Sequence, residues 1–168
     1  KSVELDITGD LTQVKELSGE KLADLILIND HDLTYAKIRF DARSIATLKA
    51  HLGKLDDGLS RALCWSAAWD MFRDAELSAT DFVEIALTGL AGEDDITTVT
   101  ALMTQLNTAV EIYAADKNRD ALREKVAGAL LSLLKSAKAG SDHQLQFARS
   151  FAALAQTKEQ GAEIRNIL

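Results

Sequence analysis

Proline is absent from all 168 residues. Average usage is about 5%. The proline ring breaks helix interiors, so a chain without it is free to be helix-rich, although the absence alone does not prove a helical fold. Cysteine is nearly absent too. Cys64 stands alone, which excludes an internal disulfide framework and points to a reducing, cytoplasmic compartment. Positive charge is in short supply: 19 Lys and Arg face 26 Asp and Glu, a net charge of -7. That balance argues against nucleic acid, which needs a basic patch to meet phosphates, and against an anionic membrane surface. No apolar run approaches the roughly 18 residues of a membrane span, and no signal peptide is visible.

The motifs of catalysis are also missing. The three histidines, His31, His51 and His143, include no pair four residues apart, so there is no H-E-x-x-H zinc motif. One cysteine cannot make C-x-x-C. The nine glycines are scattered at helix ends and form no phosphate-cradling loop, and there is no G-x-S-x-G elbow. The residue pattern therefore assigns no catalytic, cofactor-binding or metal-binding side chain.

What is present is material for a core: 47% hydrophobic and 27% charged residues describe a folding chain. It starts at Lys1 and runs straight into a strand-like pattern, as expected of a start inside a longer protein. It divides near residue 40. Over residues 1–40 the pattern predicts a few short β-strands. Val3, Leu5 and Ile7 alternate with Glu4 and Asp6, the period of a half-buried strand. Gly9-Asp10 signals a turn. Leu25 to Ile28 is a short apolar run, and Tyr35, Lys37 and Arg39 alternate with Ala36, Ile38 and Phe40. Three short strands cannot bury both faces alone, so these are expected to close a preceding β-domain or to pack on the first helices.

Residues 41–168 predict about seven helices. Asp41 is an N-cap for a helix carrying Ile45, Leu48 and Leu52, stopped by Gly53. Leu59 to Phe72 is apolar on nearly all sides, which predicts burial. Ser78 with Asp81 resembles a capping box. Asp95 opens a helix with the stripe Ile96, Val99, Met103, Leu106, Val110 and Tyr113. Leu122 to Ala137 follows, stopped by Gly140. Ser141 or Asp142 caps the next, and the last begins near Thr157 and reaches Leu168 with no stop signal. Short connections favour antiparallel neighbours. The intervals are compatible with a period of about 40 residues, hence an irregular solenoid or superhelical bundle of HEAT or armadillo type, without a repeating signature.

A few residues call for weighing. Cys64 could serve as a nucleophile with a histidine brought near, but it sits between Leu63 and Trp65 on an apolar helix, where free cysteine packs as a small hydrophobe. Asn29, Asp30, His31 and Asp32 suggest a cation site. A calcium loop counted from Asp30 would need glycine sixth and glutamate twelfth; Tyr35 and Asp41 stand there, and a polar turn explains the cluster. Glu93, Asp94 and Asp95 read as a solvated loop and a helix N-terminus. Trp65 and Trp69, one turn apart, could line a groove but more often form core.

The stretch from Leu27 to Asp41, with Tyr35, Arg39 and Asp41 at its marked positions, resembles the entry into the helical C-terminal domain of zinc aminopeptidases of the N type. It is most similar to their actinobacterial branch, within the endoplasmic-reticulum-aminopeptidase-like group. Arg61 to Met71 resembles the second helix of that domain. The likeness is specific over about residues 25–90 and rests on helical pattern and order beyond. It implies a non-catalytic domain that caps a catalytic domain and shapes peptide access. The parent would release N-terminal residues from peptides with a zinc held by H-E-x-x-H and a distant glutamate, none of which maps onto this chain. The implied partners are the catalytic and β-domains of the same longer chain and its peptide substrates. The alternative is a stand-alone helical-repeat scaffold that binds other proteins.

Overall fold

A computed structural model describes residues 1–167. Helices begin where the sequence supplies caps. Asp41 accepts a hydrogen bond from the Ser44 amide at 2.7 Å and opens α1, Ala42–His51. Asp57 does the same for Ser60 at α2, Gly58–Arg73. Ser78 accepts from the Asp81 amide at 3.1 Å and opens α3, Ala79–Leu90. Asp95 caps α4, Ile96–Thr108. After α5, Asp116–Ser136, Ser141 caps α6, Asp142–Leu154, and Thr157 accepts from the Gln160 amide just before α7, Lys158–Ile167. Each cap satisfies an amide that the first turn leaves without an intrahelical partner. The sequence placed these starts to within a residue or two except that of α5, where the apolar pattern begins at Leu122 and the helix at Asp116. The helix end expected at Leu168 lies outside the described residues.

The seven helices make a bundle. In one row α3 lies between α1 and α5, while α4 and α6 lie side by side; α3 also packs on α2 and α4, and α5 forms an antiparallel hairpin with α6. The core is continuous through α1 to α6, with Leu48, Phe82, Ile85, Leu106, Leu130 and Phe151 essentially inaccessible, and α7 adds only the partly buried Ile164. Two backbones approach closely enough to exclude side chains. At Gly53 a Cβ would lie 2.7 Å from the Thr88 carbonyl oxygen, and at Gly89 it would lie 2.4 Å from the Trp65 indole. α4 is prolonged by a π-helical turn, Ala109–Tyr113, closed by the Ala114 amide donating to the Ala109 carbonyl at 2.8 Å. The extra residue rotates the last turn, leaving Ile112 71% and Tyr113 49% exposed although Val110 is fully buried.

The expected short strands are not there. Among the described residues no strand forms, and residues 1–40 run as extended chain interrupted by 3-10 turns at Lys15–Leu17 and Asp30–Asp32. The periodicity itself is real. Leu25 and Leu27 turn toward the helices while Ile26 and Ile28 turn out, and Ile38 and Phe40 are buried while Lys37 is exposed. What is missing is a ladder partner, and a strand exists only through backbone bonds to a neighbour. The arm instead lies on the helices, with the Ile26 amide donating to the Ser44 hydroxyl and the Phe40 amide to the Met71 sulfur. Arg39 pairs with Asp74 and Glu76. Leu5 and Ile7, further out, stay exposed.

Candidate functional site

Cys64 is fully buried on α2. Desolvation pushes its thiol up to about 12, so no thiolate forms near neutral pH and nucleophilic chemistry has no agent here. His31 sits in the exposed turn beside Asp30, and His51 ends α1 at the surface. His143 lies on α6, with Nε2 3.2 Å from the Glu93 carbonyl oxygen. The three histidines are on three separate elements and do not fit a zinc site. Among the described residues no three His, Cys, Asp or Glu side chains gather to hold a metal ion.

The Asn29–Asp32 cluster is a turn that satisfies itself. Asn29 donates to Asp32 Oδ1 at 3.1 Å and to the Thr34 carbonyl at 2.7 Å, and it accepts from the Thr34 amide at 2.7 Å. Asn29, His31 and Asp32 all adopt left-handed backbone, with φ of 65°, 62° and 54°. The turn borders a cleft of about 250 Å³ against Ser66, Ala67 and Asp70 of α2.

The acidic run divides by residue. Asp94 is solvated, and Asp95 caps α4, its carboxyl held below the ordinary range first by the Thr97 amide and then by the Thr98 hydroxyl. Glu93 departs from the expected solvated loop. It is 7% exposed; it pairs with Arg61 Nε at 3.1 Å and accepts from the Asp95 amide at 2.9 Å. Arg61 also donates to the Leu55 carbonyl at 2.8 Å. Arg61 lies 32 residues upstream of Glu93, so local sequence gives no hint of the pair. Of the two tryptophans, Trp65 is core against α3. Trp69 is half-buried beside Phe72 and Phe82, with ring centroids at 5.5 and 5.2 Å. Neither lines the cleft beside the Asn29–Asp32 turn.

Another cavity lies between α4 and α6, with a volume of about 290 Å³. Its floor is Met103, Leu106, Leu130 and Leu154, all buried, and its rim carries Asn107, Gln146, Arg149 and Ser150 with Thr100 and Thr104. Met103 and Leu106 of the floor were legible in the apolar stripe and Leu130 in the next helix, but Leu154 was not singled out. The rim was not singled out, though one signal was available: from Ile96 to Val110 the chain carries no charge, while the protein as a whole is 27% charged.

Comparison with known proteins places the chain by sequence. The chain is 48% identical over 158 residues to Aminopeptidase N of Streptomyces lividans, a match that covers 94% of this chain and 18% of that protein. The chain therefore spans less than a fifth of the relative's length. The described helices coincide with a recognised domain: residues 25–168 match the ERAP1-like C-terminal domain, and the chain belongs to that family.

Proposed function

We infer that the chain works as the non-catalytic C-terminal domain of an aminopeptidase N, covering the catalytic domain and shaping which peptides reach it. One observation carries this reading: a domain-family match from residue 25 onward, in a chain 48% identical to one part of an Aminopeptidase N. On this reading the zinc and the peptide-cleaving residues belong to another part of a longer chain, and residues 1–40 form the connection to it. A wall that closes over a site sequesters substrate and selects it by size. The row of α1, α3 and α5 with α4 and α6 alongside supports reading the helices as part of a stacked, superhelical array whose surface is that wall. The same family match weighs against a free-standing scaffold.

The test is hydrolysis of alanine peptides of graded length, with zinc, by the catalytic portion alone, by this chain alone, and by the two mixed. The expected result is no hydrolysis by this chain and an altered length preference on mixing. Zinc-dependent hydrolysis by this chain alone would sink the reading, as would a length preference unaffected by a complex shown to have formed.

A further inference from the structure

We propose that Met103 is a modification site: a small hydroperoxide entering the groove between α4 and α6 oxidises its thioether to the sulfoxide in the folded chain, and spares Met71 and Cys64. The proposal rests on the settings of the sulfur atoms and not on the reading of this chain as part of an aminopeptidase.

The protein contains two methionines and one cysteine, and the fold gives each a different setting. Cys64 is fully buried and keeps its proton, whereas peroxides attack the thiolate. The two methionine side chains are equally exposed, at 7% each, so burial alone does not separate them. Access to the sulfur does. Met71 lies on α2 beneath the arm, and its sulfur accepts the Phe40 amide at 3.3 Å. That bond engages a lone pair that an oxidant must reach. Met71 also lines neither of the two cavities described above, whereas Met103 forms part of the floor of the α4–α6 groove.

The groove admits the reagent. Its volume is about 290 Å³, and Thr100, Thr104, Asn107 and Arg149 on its rim are exposed to solvent. A water molecule takes about 30 Å³ of liquid volume, and hydrogen peroxide, with two oxygens, takes roughly twice that. In the reaction a lone pair of the Met103 sulfur attacks one peroxide oxygen. An S–O bond forms as the O–O bond breaks, and the proton of the attacked oxygen passes to the departing one, which leaves as water. Sulfur loses two electrons and the peroxide gains them. The product is a polar side chain in an apolar floor, and its oxygen needs a donor there. Asn107 stands one helical turn beyond Met103, on the same face and lining the same groove, and its side-chain amide can supply that donor. Oxidation thus turns the floor of the groove from apolar to polar without unfolding the chain.

The experiment is peroxide oxidation of this chain followed by tryptic mapping. Met71 and Met103 fall on separate tryptic fragments, residues 62–73 and 74–117, so mass spectrometry reads both rates from one sample. With hydrogen peroxide in excess, Met103 sulfoxide should form at least tenfold faster than Met71 sulfoxide, and in denaturing urea the two rates should converge. Met103→Leu, a swap of similar volume that cores tolerate, should abolish the fast reaction and leave the Met71 rate unchanged. Cys64 reports folding in the same samples: after catalase has removed the peroxide, it should stay closed to an aromatic disulfide reagent. Equal rates in the folded chain, faster oxidation of Met71, or a preference for Met103 that persists in urea would overturn the proposal. So would Cys64 becoming reactive in step with Met103 oxidation, because the thioether would then react only in unfolded chains. None of these readouts depends on zinc or hydrolysis, so the aminopeptidase reading stands or falls separately.

Discussion

The indole of Trp65 occupies the space that a side chain at residue 89 would need. A Cβ on Gly89 would lie 2.4 Å from its Cζ2 and 2.7 Å from its Nε1. That contact sets how closely α2 and α3 pack, and Trp65 Nε1 is buried there without a hydrogen-bond partner.

Gly89→Ala should therefore destabilise the fold. In an open helix the change would gain up to about 1 kcal/mol from helix propensity. Here overpacking costs about 1–3 kcal/mol and outweighs it, because Trp65 is held on all sides by core. Gly128, on the exposed side of α5, has nothing within 4 Å of its would-be Cβ, so Gly128→Ala should stabilise. Urea denaturation of both variants checks the pair. Equal stabilisation by both would show that Trp65 does not set the spacing.

The Arg61–Glu93 pair ties the start of α2 to the loop before α4. Its side chains are 13% and 4% exposed, so it belongs with buried pairs, where losing one partner costs about 3–5 kcal/mol. Arg61→Met leaves the Glu93 carboxylate buried with only the Asp95 amide to satisfy it. The double variant with Glu93→Leu should be more stable than Arg61→Met alone, since no charge is stranded. A double-mutant cycle measured by chemical denaturation decides; additive losses would mean that the pair is not coupled.

This pair also marks where sequence reading ran out. Helix starts were legible because capping is local: Asp41, Ser78, Asp95 and Ser141 act on amides two or three residues ahead. The apolar stripe of α4 was legible because its period is local as well. Residues 1–40 misled for the opposite reason. Alternation at Tyr35–Phe40 shows which side faces in, but at Val3–Ile7 Leu5 and Ile7 stay exposed, and a strand needs a partner that alternation cannot supply. The rim of the α4–α6 groove joins residues about forty apart that carry no motif, and only the lack of charge along α4 hinted at it.

Lys49 on α1 bridges two carboxylates of α3, Asp81 at 2.6 Å and Glu84 at 2.7 Å, and Glu84 also meets Lys125 of α5 at 3.0 Å. The hydrogen bond from Lys49 holds both carboxyls below their ordinary range. Groups so depressed contribute stability above the unfolded carboxyl range, near pH 4, and lose it as pH falls through the lower folded values. Lys49 itself is raised by Asp81 and then Glu84, so its contribution is complete below about pH 10 and fades above its folded value. These side chains are about one-third exposed, so solvent limits the effect to about 1 kcal/mol. Lys49→Met should cost that much at pH 7, and the gap to the unmodified chain should close below pH 4. Thermal melts from pH 2 to 8 measure it; a constant gap would exclude the electrostatic account.

The lone thiol gives the last prediction. Cys64 is inaccessible and its ionisation is pushed up to about 12 by burial, whereas an unfolded thiol ionises near 8.5. An aromatic disulfide reagent at pH 8 should therefore leave the folded chain unlabelled, and labelling in denaturant should follow unfolding. The raised thiol has a second consequence, on stability. The folded state keeps the proton while the unfolded chain releases it, so the contribution of Cys64 is complete below about pH 8.5 and declines as pH rises toward its folded value. Cys64→Ala removes both the packing and this slope. The stability difference between the two proteins should shrink steadily from pH 8 to pH 10, by about 1.4 kcal/mol for each unit of pH above the unfolded value. Rapid labelling of the folded chain, or a difference that holds constant over that range, would mean that the thiol is open to solvent and not a sealed part of the core.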